Sequence, residues 1–153
     1  LRKDSVALEY PILRSCEIKS AVVAEDEHEH GIRANLNYGH TFGHAFESVT
    51  EYRHFLHGEA VGLGMHAAGV LAEMLDMVDA AFTARQRECL QAYGLPVSWP
   101  EMPVDETIAA MRHDKKAHSG ALKFILPDRI GHVVQRTDVP EESVRRALAA
   151  IKD

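Results

Sequence analysis

Cysteine is scarce in this chain. Cys16 and Cys89 stand alone, with no metal-type spacing around either. Two isolated thiols exclude a disulfide framework and suit a reducing cytoplasm, which is the expected location. Basic residues are in the minority, 17 Lys and Arg against 23 Asp and Glu, for a net charge of −6 with histidine neutral. No stretch carries the dense basic stripe that phosphate backbones demand, so no nucleic-acid partner is expected. The longest apolar run, Ala60 to Ala72, is interrupted by His66 and is too short to span a bilayer. No signal-peptide pattern opens the chain, and no membrane partner is expected. A Gly-rich turn between a strand and a helix is missing, as are a P-loop and a G-x-S-x-G elbow. Nucleotide chemistry would therefore need residues from outside this sequence.

What is there reads as a globular protein. With 153 residues, 46% of them hydrophobic and 26% charged, one compact domain with a real core is the expectation. Ten histidines are a high count and point to metal or acid–base chemistry, and a first residue that is Leu rather than Met suggests a piece of a longer chain. Apolar spacing predicts a helix over 4–24, where Pro11 either kinks it or opens a second helix. An acidic, histidine-rich loop follows and closes at Gly31. Further helices are expected over 35–51, 57–77 and 80–93, the last stopped by Gly94, Leu95 and Pro96. A Pro-rich connector leads to a short helix from Asp105 to about residue 113. Alternation in 122–126 and 132–135 predicts one β-hairpin. Pro140 then opens a closing helix with acids in its first turn. The fold class is mainly α, a multi-helix domain with one small hairpin, without internal repeats.

Two segments carry chemistry. In RANLNYGHTFGHAFE, residues 33–47, Arg33, Asn37, His40 and His44 fall on one stripe of a helix at about 100° per residue. The bland reading is a solvated polar face. Against it, the stripe holds only groups that hydrogen-bond or ligate, and Gly39 and Gly43 each cost roughly 1 kcal/mol in a helix, so something needs close approach there. His40 and His44, at i and i+4, have the spacing to reach one metal ion. In LHGEAVGLGMHAAG, residues 56–69, His57 and Glu59 stand at the mouth of a helix that is apolar nearly all round. His57 is either a further metal ligand or a capping or core histidine, and His66 reads as a satisfied core histidine. Lys19, Glu29 and Arg33 place charge nearby, and Lys115 and Lys116 make a candidate anion site or an ordinary surface pair.

Taken together, CEIKSAVVAEDEHEHGIRANLNYGHTFGHAFE, LHGEAVGLGM and DKKAHSGALKFILPDRIGHV, in that order, resemble the C-terminal domain of 3-dehydroquinate synthase over essentially the whole chain. The resemblance implies a zinc- (or cobalt-) and NAD-dependent cyclase of the shikimate pathway, in which a heptulosonate phosphate becomes 3-dehydroquinate with loss of phosphate. It also implies an N-terminal NAD-binding domain as partner, and a homodimer. By the same resemblance His40 and His57 are metal ligands, and His44 is a substrate-contacting acid–base residue rather than a ligand. Glu29 matches a proton-relay position; Lys19, Arg33, Asn37 and one of Lys115 or Lys116 match substrate-binding positions.

The departures matter too. The family's third ligand is a glutamate in a GxAEVIK-type motif, which does not occur here, and the nucleotide half is missing. The spacer EYRHF is a residue off the usual length, which keeps His54 as a competitor to His57, and His30 stands where the family has a small residue. Residues 1–153 thus read as one helical domain of a two-domain enzyme. Alone, it is expected not to turn over substrate and to self-associate through apolar surface. The competing readings are a sister sugar-phosphate cyclase, a zinc hydrolase using His40, His44 and His57, and a non-catalytic module.

Overall fold

The computed structural model describes residues 5–27, 31–117 and 122–153, with the side chains of 8–27, 31–113 and 122–153. The chain divides into two compact units, Leu1–Asn37 and Tyr38–Asp153.

The first unit holds α1 (Ser5–Glu25) and a 3-10 helix (Ile32–Asn37). Pro11 lies inside α1, which runs as one helix rather than two. Leu8, Tyr10, Ile12, Leu13 and Ile18 are all exposed along it. The carboxylate of Asp26 ends the helix-to-helix connection by accepting from the N–H groups of Gly31 (2.7 Å) and Arg33 (3.1 Å), which the start of the 3-10 helix would otherwise leave unpaired.

The second unit contains α2 (His40–Val49), α3 (His57–Met74), α4 (Ala80–Ala92), α5 (Val104–Ala117), the strands β1 (Phe124–Arg129) and β2 (His132–Arg136), and α6 (Glu141–Ala150). The mainly helical class with one antiparallel hairpin matches the expectation; the hairpin pairs Phe124 with Arg136 and Leu126 with Val134. Pro127 and Asp128, expected in the turn, belong to β1, and α5 runs four residues past its expected end.

The expected helix over 35–51 is not one helix. The 3-10 helix stops at Asn37, and α2 starts only at His40. The physical reason is Gly39, whose φ of 81° is left-handed. A Cβ there would stand 2.7 Å from the Val61 carbonyl, so the break sits where α3 presses closest. Arg33 and Asn37 therefore do not share the α2 stripe. The close approach expected at the glycines is present: a Cβ on Gly43 would meet Val61 backbone at 3.2 Å, and one on Gly64 would overlap the Gly39 carbonyl.

This contact seats α2 on α3, whose residues from Ala60 to Gly64 and from His66 to Gly69 are all buried. The core continues through Phe42, Phe46, Leu63, Trp99, Met102, Leu126 and Leu148. Phe42 meets Phe124 at 5.5 Å and Phe46 meets Trp99 edge-on at 5.8 Å, so the aromatic contacts fasten α2 to the hairpin and to the connector before α5. The turn from α2 into α3 passes through two successive left-handed residues, Glu51 (φ 51°) and Tyr52 (φ 59°), and the Tyr52 N–H donates to the Glu47 carbonyl at 2.8 Å. No described helix is long and apolar enough to cross a membrane.

Candidate metal and substrate site

The first turn of α3 is closed by its own sequence: Glu59 accepts from the Leu56 N–H at 2.8 Å, in the back half of a capping box. His57 is thereby relieved of any capping role and its ring turns toward α2. The imidazole centroids of His40 and His57 lie 5.6 Å apart, those of His40 and His44 5.5 Å, and those of His44 and His57 6.2 Å. His54, the competitor, stacks instead on Trp99 at 5.7 Å with its ring 20° from parallel. The structure thus brings His57, not His54, to His40.

The Nδ1 of His40 lies 3.3 Å from the Tyr38 carbonyl. A carbonyl only accepts, so this bond places the ring proton on Nδ1 and leaves the Nε2 lone pair free. Burial lowers the His40 pKa below its ordinary value and the neighbouring His44 and His57 add to that, against the Tyr38 carbonyl and the Glu47 charge. A neutral imidazole with one free nitrogen is what a divalent metal takes. The Nδ1 of His57 lies 2.9 Å from Oε1 of Glu47, a buried carboxylate. As donors, His40 and His57 fit zinc or cobalt. Among the described residues, however, no three His, Cys, Asp or Glu side chains are arranged to hold a metal ion. The three-histidine arrangement of a zinc hydrolase is therefore not formed among them, and the pair needs a further ligand.

A cleft of about 670 Å³ opens beside the histidines, lined by Thr41, His44, Glu47, Ser48, His57 and His113, with Tyr52 at its edge. His44 is exposed there. Glu47, Tyr52 and His113 were not singled out from the sequence. Glu47 was within reach, since it lies seven residues beyond His40 and about 20° from it around the helix. His113 arrives on α5 by tertiary packing and leaves no local signal.

The remaining sequence candidates belong to the first unit or to undescribed side chains. Lys19 is exposed on α1. Arg33 donates from Nη1 to the Glu27 carbonyl at 2.6 Å, and Asn37 ends the 3-10 helix, half-buried. Glu29 and His30 lie outside the described residues, as do the side chains of Lys115 and Lys116, whose backbone forms the last turn of α5. His66 is buried as expected but not satisfied, because its Nδ1 has no hydrogen-bond partner.

Residues 1–117 match the family model described as 3-dehydroquinate synthase C-terminal. Two curated relatives carry the name 3-dehydroquinate synthase. The one from Rhodopirellula baltica is 47% identical and matches 100% of this chain, and the one from Gloeobacter violaceus is 43% identical and matches 99%. The chain spans 41% and 42% of their lengths. Among solved structures, a 2-epi-5-epi-valiolone synthase from Streptomyces hygroscopicus subsp. jinggangensis, with NAD+ and Zn2+ bound, superposes with a TM-score of 0.83 at 27% identity. That match covers 97% of this chain and 41% of the other. A 2-deoxy-scyllo-inosose synthase, complexed with carbaglucose-6-phosphate, NAD+ and Co2+, shares the fold at a TM-score of 0.73 and 23% identity, over 86% of this chain and 38% of its own. By its sequence match over three-quarters of its length, the chain belongs to the 3-dehydroquinate synthase C-terminal family.

Proposed function

We propose that this chain is the metal- and substrate-binding part of a 3-dehydroquinate synthase, which cyclises 3-deoxy-arabino-heptulosonate 7-phosphate to 3-dehydroquinate and phosphate in the cytoplasm. The observation that carries the reading is the meeting of the His40, His44 and His57 rings, the last two lining one cleft, from two motifs 13 residues apart in the sequence between His44 and His57. His40 and His57 hold a zinc or cobalt ion through their free nitrogens, together with a ligand from another part of the enzyme. When bound, such an ion polarises substrate oxygens as a Lewis acid.

The other roles rest on the match of these positions to the family's motifs and on the chemistry of each side chain. His44, exposed in the cleft, takes and returns a proton at an imidazole nitrogen. Glu29 relays protons to the same site. Lys19, Arg33, Asn37 and one of Lys115 or Lys116 hold the carboxylate and phosphate of the substrate, so that elimination and ring closure start from one fixed pose. NAD is held by a separate N-terminal domain, which completes the site as residues 1–153 form its helical partner, and the assembled enzyme is a homodimer. The chain by itself is inactive, since catalytic zinc sites normally use three protein ligands.

The test is a graft. Replacing the matching 41% of the Rhodopirellula baltica relative with this chain should give an enzyme that releases phosphate from the heptulosonate and makes 3-dehydroquinate. His44→Ala in the graft should lower turnover by a factor of about 100 or more while the metal stays bound. The isolated chain with NAD and zinc should release none. A graft that binds NAD and zinc but makes no 3-dehydroquinate overturns the reading. A second reading, a sister sugar-phosphate cyclase, is supported by the valiolone synthase superposition; a different cyclised product from its own sugar phosphate would establish it.

A further inference from the structure

Glu47 is the group that the proposed function leaves unused. It lies in the middle of α2, is 7% exposed, and carries a carboxylate into a largely apolar unit. Burying an ionised carboxylate is costly unless it is paired and hydrogen-bonded, so a residue of this type at this depth needs a partner. Its partner is Nδ1 of His57, at 2.9 Å. The His57 ring itself is 61% exposed and sits on the first residue of α3, where its hydrogen bond among the described residues is the one to Glu47. Helix capping does not fix it, because Glu59 caps that turn.

An ionised carboxylate only accepts hydrogen bonds. The bond therefore puts the ring proton of His57 on Nδ1 and leaves the Nε2 lone pair free, as the Tyr38 carbonyl does for His40. The two rings, 5.6 Å apart, are set to the same tautomer by acceptors from the same helix and its entry turn. Metal-binding histidines commonly donate their second nitrogen to a carboxylate or carbonyl in this way, which fixes the ring and raises its basicity.

We propose that Glu47 is a positioning residue that locks His57 as the Nδ1–H tautomer and holds its Nε2 toward the metal space shared with His40. The metal half of this proposal rests on the proposed function, and the tautomer half does not. The role assigned to Glu47 is behind His57 rather than on the metal, because its Oε1 is engaged by His57 and no three-ligand set forms among the described residues.

Two measurements on the 153-residue chain test it. The first reads the ring-nitrogen chemical shifts of 15N-labelled histidine in the metal-free protein, under alkaline conditions where the rings are neutral. His57 is expected as Nδ1–H in the wild type, and as a mixture in Glu47→Ala. The second measures Zn2+ affinity by competition with a coloured chelator. Glu47→Ala is expected to weaken binding about 10- to 100-fold, and Glu47→Gln, which keeps an acceptor without the charge, by less. Circular dichroism establishes that each variant is folded, and Glu47→Gln carries the test if Glu47→Ala is not. A wild-type His57 protonated on Nε2, or zinc affinity unchanged in both Glu47 variants while His57→Ala loses it, overturns the proposal. If His40→Ala and His57→Ala leave zinc binding unchanged while Glu47→Ala still shifts the tautomer, Glu47 keeps its hold on His57 and the metal reading fails instead.

Discussion

Single residues in this chain show how burial decides what a histidine does. His40, His57 and His66 are the same side chain in three settings. His66 is 5% exposed on α3, its Nδ1 has no partner, and burial, with the Arg87 charge adding to it, pushes its pKa down to about 4. The unfolded chain takes up that proton near the ordinary value of about 6.5. Between these two values the unfolded state binds more protons than the folded one, so stability is full above about pH 6.5 and falls as pH drops toward 4. The loss from this one residue is at most about 3 kcal/mol. His40 shifts in the same direction and adds to the slope. His66→Leu should therefore flatten, but not abolish, the fall in the urea midpoint between about pH 7 and pH 5. An unchanged slope would mean that His66 is hydrated or protonated in the fold. From the sequence, His66 reads as a core histidine, which is correct, and as a satisfied one, which is not. Periodicity reports which face a residue occupies but not whether a partner waits there. The same limit hid Glu47: its place on the His40 stripe was legible, whereas the bond to His57 depends on how α3 returns to α2.

At the scale of elements, the sequence told where helices lie more accurately than where they break. The stripe expected to join Arg33, Asn37, His40 and His44 is cut at Gly39, because a helix cannot run on through a left-handed residue pinned against the neighbouring backbone. Glycine counts alone do not separate such a position from a permissive one; the neighbouring helix does. Gly64 and Gly58 on α3 make the contrast testable. A Cβ on Gly64 would overlap the Gly39 carbonyl and stand 2.9 Å from the Gly43 nitrogen, both backbone atoms that cannot rotate away. Gly64→Ala should cost at least about 1–3 kcal/mol by forcing α2 and α3 apart, and it should weaken zinc binding by moving His40 from His57. Gly58 has nothing within 4 Å of its would-be Cβ and ordinary helical backbone. Gly58→Ala should stabilise by about 0.4–1 kcal/mol through the unfolded state. Thermal or urea unfolding of the two variants would show opposite signs; equal shifts would mean that the α2–α3 approach is looser than the packing implies. The ion pairs Arg112–Glu141 and Arg145–Asp105 are mostly exposed, and their loss should move the same midpoints little.

At the scale of the molecule, the division at Asn37 separates two kinds of chemistry. His40, His44, His57, Glu47 and the cleft all lie in Tyr38–Asp153, together with the apolar core. The anion-holding candidates Lys19, Arg33 and Asn37 lie in Leu1–Asn37, whose 3-10 helix buries nothing fully and whose long helix exposes its large apolar residues. Among the described residues the buried apolar core lies in Tyr38–Asp153, and burial of apolar area is what offsets chain entropy. Residues 38–153 alone should therefore unfold cooperatively, and should keep their zinc affinity, since Tyr38 still supplies the carbonyl for His40. Residues 1–37 alone should show little helix, as a single helix without tertiary support is marginal in water. On the proposed function, binding of a phosphonate analogue of the heptulosonate should be weakened in the 38–153 piece while zinc remains, because Lys19, Arg33 and Asn37 are gone and only Lys115 or Lys116 is left to meet its charges. Calorimetric titration of both pieces with zinc, then with the analogue, separates the two contributions. Undiminished analogue binding by 38–153 would assign the anion contacts to α5 and the undescribed lysines rather than to the first unit, and loss of zinc together with the analogue would mean that the metal pair is held in place from outside its own unit.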